Sequence, residues 1–205
     1  LRESESRLAS LLSSLPGMAY RCRNDPSWTM EFVSAGCREL TGWAAEDLLE
    51  SRQVSYADLI HPEDRQKVWD DVQAGVREMR VFRLNYRIRT ADGSEKWVWE
   101  QGRGLFAADG SLVALQGFIA DVTERRRLLE EVRASREFLD GVLKSIQDGI
   151  SVLASDLTIR HVNPVMNSWY RKNLPLEGKK CFEVYHNGSA PCAPCPTLRC
   201  IETGR

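Results

Sequence analysis

The chain has 205 residues, room for one large domain or two small ones, with 28 Lys and Arg against 29 Asp and Glu. That balance, a formal net charge of −1, speaks against nucleic-acid binding, whose domains carry a basic excess. At 42% hydrophobic the chain can bury a core, yet no apolar run approaches the roughly 18–20 residues of a bilayer-spanning helix.

The opening Leu1-Arg2-Glu3-Ser4 has neither Met nor an apolar signal region, and Glu202-Thr203-Gly204-Arg205 reads as cut mid-element, so a piece of something longer is expected. Leu1, Leu8, Leu12 and Leu15 predict an N-terminal helix over residues 1–15. Two short strands follow, 17–23 and 28–34, around the Asn24-Asp25-Pro26-Ser27 turn cluster. Short helical pieces come next at 37–40 and 46–49. His61-Pro62-Glu63-Asp64 predicts the start of a longer helix, with Pro at its first position and acids at its positive end. Val68, Val72 and Val76 give that helix one buried face. Phe82, Leu84, Tyr86 and Ile88 alternate with polar residues, the period of a half-buried antiparallel strand. Asp92-Gly93 and Asp109-Gly110 mark hairpin turns, where Gly supplies the positive φ required. A strand carrying Trp97 and Trp99 on one face lies between them, and the last strand covers 112–120. The fold class is α+β: a five-stranded antiparallel sheet with helices on one side.

Thr123 is a good N-cap for a long helix over 124–147. Leu128, Val132, Leu139, Val142 and Ile146 follow the coiled-coil period, broken only by Ser135. The stripe reads either as a homodimer seam or as one face packed on its own domain. Beyond it the chain repeats itself at an offset of 131: Arg2, Ser4, Leu8, Leu12 and Ser14 recur as Arg133, Ser135, Leu139, Leu143 and Ser145. Strands at 149–153 and 158–163, a turn at Asp156-Leu157 and a helical piece at 164–170 follow, but no meander. The organisation is an N-terminal helix (1–15), a first module (16–123), a connecting helix (124–147) and the first part of a second module (148–205).

His61-Pro62-Glu63-Asp64, the Tyr86-Arg87 strand, Asp92-Gly93, Trp97-Val98-Trp99, and Gly117 before Asp121-Val122-Thr123 together resemble tandem PAS sensor domains, well over 1–123 and partially over 132–205. The resemblance implies the sensory input region of a bacterial-type signalling protein, a sensor histidine kinase first and a cyclic-dinucleotide enzyme as the alternative. It also implies an output domain downstream and a cytoplasmic location, in a parent that a membrane segment elsewhere would anchor. Asp121-Val122-Thr123-Glu124-Arg125 is similar to the junction such domains place before a signalling helix, which makes Asp121 and Thr123 junction residues. No phosphoacceptor segment, nucleotide-binding element or hydrolase motif occurs in the sequence, so this stretch is not expected to turn over a substrate.

Tyr20, Phe32, Trp43, Trp69, Tyr86, Trp97 and Trp99 are the residues expected to face inward, as a packed aromatic core or as the wall of a small-molecule pocket. Gly36-Cys37-Arg38-Glu39 does not resemble the reactive-cysteine context of flavin-binding PAS domains. His61, at a helix entrance beside Pro62, reads as a cap rather than a haem ligand. Neither flavin nor haem is expected. Cys181, Cys192, Cys195 and Cys200 crowd into twenty residues, spaced x10, x2 and x4, with Pro194 and Pro196 stiffening the loop. Three readings stay open: zinc or an iron–sulfur cluster, a thiol–disulfide switch, or structural cysteines. Lys179-Lys180-Cys181-Phe182-Glu183-Val184-Tyr185-His186 leading to Pro191-Cys192-Ala193-Pro194-Cys195-Pro196 resembles a cysteine-bearing PAS subtype.

Overall fold

The computed structural model describes residues 16–204; the helix expected over 1–15 lies outside them. The chain divides into two compact units, with the boundary between Leu129 and Glu130.

In the first unit, β1 (Met18–Cys22) and β2 (Met30–Val33) precede four helices: α1 (Cys37–Thr41), α2 (Ala45–Leu48), α3 (Tyr56–Leu59) and α4 (Arg65–Arg77). The meander of β3 (Phe82–Arg89), β4 (Glu95–Phe106) and β5 (Leu112–Asp121) completes an antiparallel sheet in the order β2-β1-β5-β4-β3. The first strand therefore sits at the centre beside the last, with Tyr20 opposite Gly117. Gly93 and Gly110 turn the two hairpins at φ +82 and +83, conformations that side chains with a Cβ rarely adopt. Phe82, Leu84, Tyr86 and Ile88 are buried as their alternation predicts, and Val68 and Val72 of α4 pack into the same core.

The longer helix begins three residues after Pro62. Residues 61–64 form a turn instead, because their polar groups are bonded to the edge strand β3. The His61 amide donates to the Arg87 carbonyl (2.9 Å), while Asp64 accepts from the Arg87 amide (2.9 Å) and from its guanidinium (2.8 and 2.9 Å). Asp64 thus closes an otherwise open strand edge. The Arg87 guanidinium holds the Asp64 carboxyl below its usual range.

The helix α5 (Thr123–Ser145) follows β5 directly. None of its residues is buried, and Leu128, Val132, Leu139 and Val142 are 40–68% exposed. Among the described residues the stripe is left exposed. The second unit continues with β6 (Ser151–Leu153), β7 (Ile159–Val162), α6 (Pro164–Trp169), a 3-10 turn (Arg171–Asn173), α7 (Cys181–His186) and α8 (Pro196–Thr203). β6 and β7 pair antiparallel, and Leu157, Ile159, Val162, Met166, Leu176 and Val184 are buried together.

Each unit opens with the same clasp. The Ala19 amide donates to Ser34 Oγ (3.0 Å) and the Ser34 amide returns to the Ala19 carbonyl (2.9 Å). The Ile150 amide donates to Asn163 Oδ1 (3.0 Å) and the Asn163 amide returns to the Ile150 carbonyl (3.0 Å). Ala19 and Ile150 stand at the offset of 131, while Ser34 and Asn163 stand 129 apart, so the two units share the clasp with a hairpin two residues shorter in the second.

Candidate ligand cavity and helix junction

Inside the first unit, between the sheet and the helices, lies a cavity of about 20 Å³, enough for the centre of a single water. Its walls are apolar except for Cys22, Glu100 and three tyrosines. Glu100 is 5% exposed. Its carboxylate accepts from the Tyr20 hydroxyl and from the Tyr86 hydroxyl (2.6 Å), and Tyr56 Oη stands 2.9 Å from Tyr86 Oη. Burial pushes the Glu100 carboxyl above its usual value, and the two tyrosine donors only partly oppose that. The Tyr20 and Tyr86 hydroxyls are pushed up by burial and then by the Glu100 charge. Burial, again followed by Glu100, also keeps the Cys22 thiol protonated and chemically quiet.

Two glycines make the arrangement fit. A Cβ on Gly102 would lie 2.5 Å from the Phe82 ring and 2.7 Å from the Tyr20 hydroxyl; one on Gly117 would lie 2.9 Å from the Tyr20 ring. The missing side chains let Tyr20 reach across β5 and β4 to Glu100.

Of the residues expected to face inward, Tyr20 and Tyr86 line the cavity. Trp43 and Trp69 are part-buried at the margin of the core, Trp69 with its ring 5.0 Å from that of Trp28. Phe32, Trp97 and Trp99 are not inward. Phe32 is 46% exposed, and on β4 the inward positions belong to Val98, Glu100 and Gly102. The rings of Tyr20, Phe82 and Tyr86 fill that side, so only small or hydrogen-bonding residues fit beneath them. Trp28, Tyr56 and Glu100 were not singled out from sequence; the signal available for Glu100 was a lone carboxylate in the period-2 run Val98-Glu100-Gly102.

Three residues before Glu100, Trp97 anchors the start of α5. The Trp97 amide donates to Thr123 Oγ1 (2.9 Å), the Val122 amide donates to the Trp97 carbonyl (2.9 Å), and the Thr123 amide donates to Asp121 Oδ1 (2.9 Å). Thr123 thus accepts from a neighbouring strand instead of from an amide of its own helix as an N-cap would, because β4 runs alongside the junction. Lys96 pairs with Asp121 at 3.2 Å. Burial raises the Asp121 carboxyl, but Thr123 and Lys96 outweigh it and hold the group low. The Arg126 guanidinium lies 3.7 Å from the Trp97 ring centroid, with that of Arg87 at 5.7 Å. Trp97 and Arg126 also border a surface cleft of about 270 Å³, and Val68 and Tyr86 line both this cleft and the inner cavity.

In the second unit Cys181 is buried at the start of α7, Cys192 and Cys195 are part-exposed, and Cys200 is exposed on α8. Cys195 caps the N-terminal end of α8, where the Leu198 amide lowers its thiol. Burial raises the Cys192 thiol, and the neighbouring Cys195 raises it further. Burial and then Cys195 and Cys192 raise Cys181. Among the described residues no three His, Cys, Asp or Glu side chains are grouped to hold a metal ion.

Residues 30–119 match the family described as PAS fold. The first unit is a PAS domain. The methyl sulfide methyltransferase-associated sensor of Methanosarcina acetivorans is 28% identical over 141 residues, 68% of this chain and 14% of that protein. The two-component sensor PprA of Pseudomonas aeruginosa is 26% identical over 161 residues, 78% of this chain and 17% of its own length. A solved sensory box histidine kinase/response regulator from Burkholderia thailandensis is 27% identical with a TM-score of 0.51, covering 63% of this chain and 95% of that one. The chain spans less than a fifth of the length of these curated relatives. The PAS domain is thus related to those of sensor proteins. No helix among the described residues is long and apolar enough to cross a membrane.

Proposed function

We propose that the chain is the sensory input region of a sensor histidine kinase, in which a small hydrogen-bonding ligand entering the cavity of the PAS domain resets the start of α5. The observation that carries this reading is the placement of Glu100 and Trp97 on one strand, three residues apart and on opposite faces of the sheet. A ligand that takes over a tyrosine's bond to Glu100 shifts β4, and β4 holds α5 through Trp97, Thr123 and Arg126. The ligand moves the helix by as much as it binds the two states of β4 differently. Two copies pair through the exposed stripe of α5 and pass the change to an output domain downstream. Residues 148–205 are, in this reading, the opening part of a second PAS module, supported by the shared clasp.

Thermal unfolding of the 205-residue chain with short carboxylic acids, amides, amines and polyols tests the first step. A concentration-dependent rise in Tm that Glu100→Gln abolishes supports it, since a ligand that binds only the folded form stabilises it by mass action. No shift with any class sinks it. For the pairing, Leu139→Asp is expected to convert a dimer to a monomer in sedimentation; an unchanged dimer would place the contact elsewhere.

A further inference from the structure

The geometry points to a small ammonium cation, the ammonium ion itself or methylammonium, as the ligand of the PAS cavity, held between Glu100 and the tyrosine hydroxyls. The assignment rests on the reading of this cavity as the ligand site and names the chemical class it selects.

Charge and hydrogen-bond direction carry it. Glu100 is buried, and both of its oxygens accept a phenolic hydrogen, Oε1 from Tyr20 and Oε2 from Tyr86 (2.6 Å). One donor on each oxygen suits the ionised group. Tyrosine hydroxyls are neutral, however, and no Lys, Arg or His lines the cavity. Lys96, four residues away on β4, pairs instead with Asp121 (3.2 Å). The carboxylate therefore has no cationic partner among the described residues, whereas buried charges are ordinarily paired.

The three phenolic hydrogens are all committed. Tyr86 gives its hydrogen to Glu100, so the contact of 2.9 Å between the Tyr56 and Tyr86 hydroxyls has Tyr56 as its donor. The Tyr20 and Tyr56 oxygens then accept from no described group. What Glu100 and these hydroxyls offer a ligand is acceptor capacity beside a negative charge. An ammonium group donates, accepts nothing and carries the missing positive charge. A carboxylate ligand is repelled, and an alcohol or amide leaves Glu100 uncompensated. Trp28 and Phe82 line the same cavity, and aromatic side chains attract a cation to their faces. Size completes the selection. A cavity of about 20 Å³ holds the centre of one water-sized group, which admits ammonium and bars a quaternary amine.

Thermal unfolding of the whole chain in ammonium and methylammonium chloride, against sodium, potassium and tetramethylammonium chloride at equal ionic strength, tests the assignment. The expected result is a saturable rise in Tm with the first two salts, absent with the other three and lost in Glu100→Gln. Isotopically labelled ammonium gives a second readout on the native chain, independent of how that variant folds. NMR should show a resonance separate from free ammonium, with cross-relaxation to the Tyr20 and Tyr56 rings. An equal rise with sodium or potassium would overturn the assignment. A rise with acetamide or acetate but not with ammonium would overturn it too, while keeping the cavity as the ligand site. No rise with any compound and no bound resonance would overturn both. Bound ammonium that leaves hydrogen exchange in the first turn of α5 unchanged would support the assignment and overturn the relay to the helix.

Discussion

In the first unit the Ala19–Ser34 clasp opens a hairpin whose β1 is bonded on both sides, to β2 and to β5. In the second, the Ile150–Asn163 clasp opens the hairpin β6–β7, the whole of the second sheet among the described residues. Burial follows from that. Tyr20 and Cys22 on β1 are buried, whereas Ser151 and Leu153, their counterparts at the offset of 131 on β6, are part-exposed. A two-stranded sheet is marginal in water until it packs on something else. The second unit packs it with Leu157, Leu176 and Val184 from its turns and helices, and with more hydrogen bonding at the clasp. Ser34 Oγ accepts from one amide. Asn163 accepts from the Ile150 and Met166 amides and donates to the Asp148 carbonyl at 2.8 Å. The same local motif is thus held in one case by a completed sheet and in the other by a polar knot.

Four experiments break or sharpen this contrast, the first three read by hydrogen exchange so that each unit reports separately. Phe82→Ala should have the largest effect, costing the first unit about 3–5 kcal/mol through the cavity it leaves. Protection in β6–β7 should not change; joint loss would mean that the units unfold as one. Asn163→Ala should cost the second unit about 2–3 kcal/mol, since several buried partners lose their bonds, against about 1 kcal/mol in the first unit for Ser34→Ala. Equal costs would mean that the two clasps bear equal weight. Arg126→Ala removes a stacked cation from Trp97 and should cost about 0.5–1 kcal/mol, seen as faster exchange in the first turn of α5 with the sheet unaffected.

The last effect is a slope. Glu100 has a folded pKa raised above its usual value of about 4.5. Its contribution to stability is therefore full below that value and lost as pH rises through the folded pKa. Urea titrations of the native chain should show the first unit losing stability with rising pH relative to Glu100→Gln. Parallel profiles would mean that the carboxyl titrates as it does in the unfolded chain.

Much of the first unit was legible in the sequence because its signals are local. The alternation from Phe82 to Ile88 and the Asp-Gly turns each act over a few residues, and they fixed the meander. The helix start at Pro62 was misread because Asp64, apt for a helical first turn, is bonded to Arg87 on a strand distant in sequence. The cavity was misread on β4 because large aromatics are ordinarily the inward residues of a strand. Here Trp97 and Trp99 face outward, and Glu100 lies inside beneath rings supplied by β1 and β3.

By itself, then, the sequence determined the strands, the turns, the long helix and the repeat, since periodicity, Gly conformational freedom and capping residues act between near neighbours. Only the tertiary structure decided which face of β4 is interior and that Thr123 and Trp97 tie β4 to α5. Those outcomes depend on side chains from separate elements competing for one volume or one hydrogen bond, and the winner is set by packing that no single segment encodes.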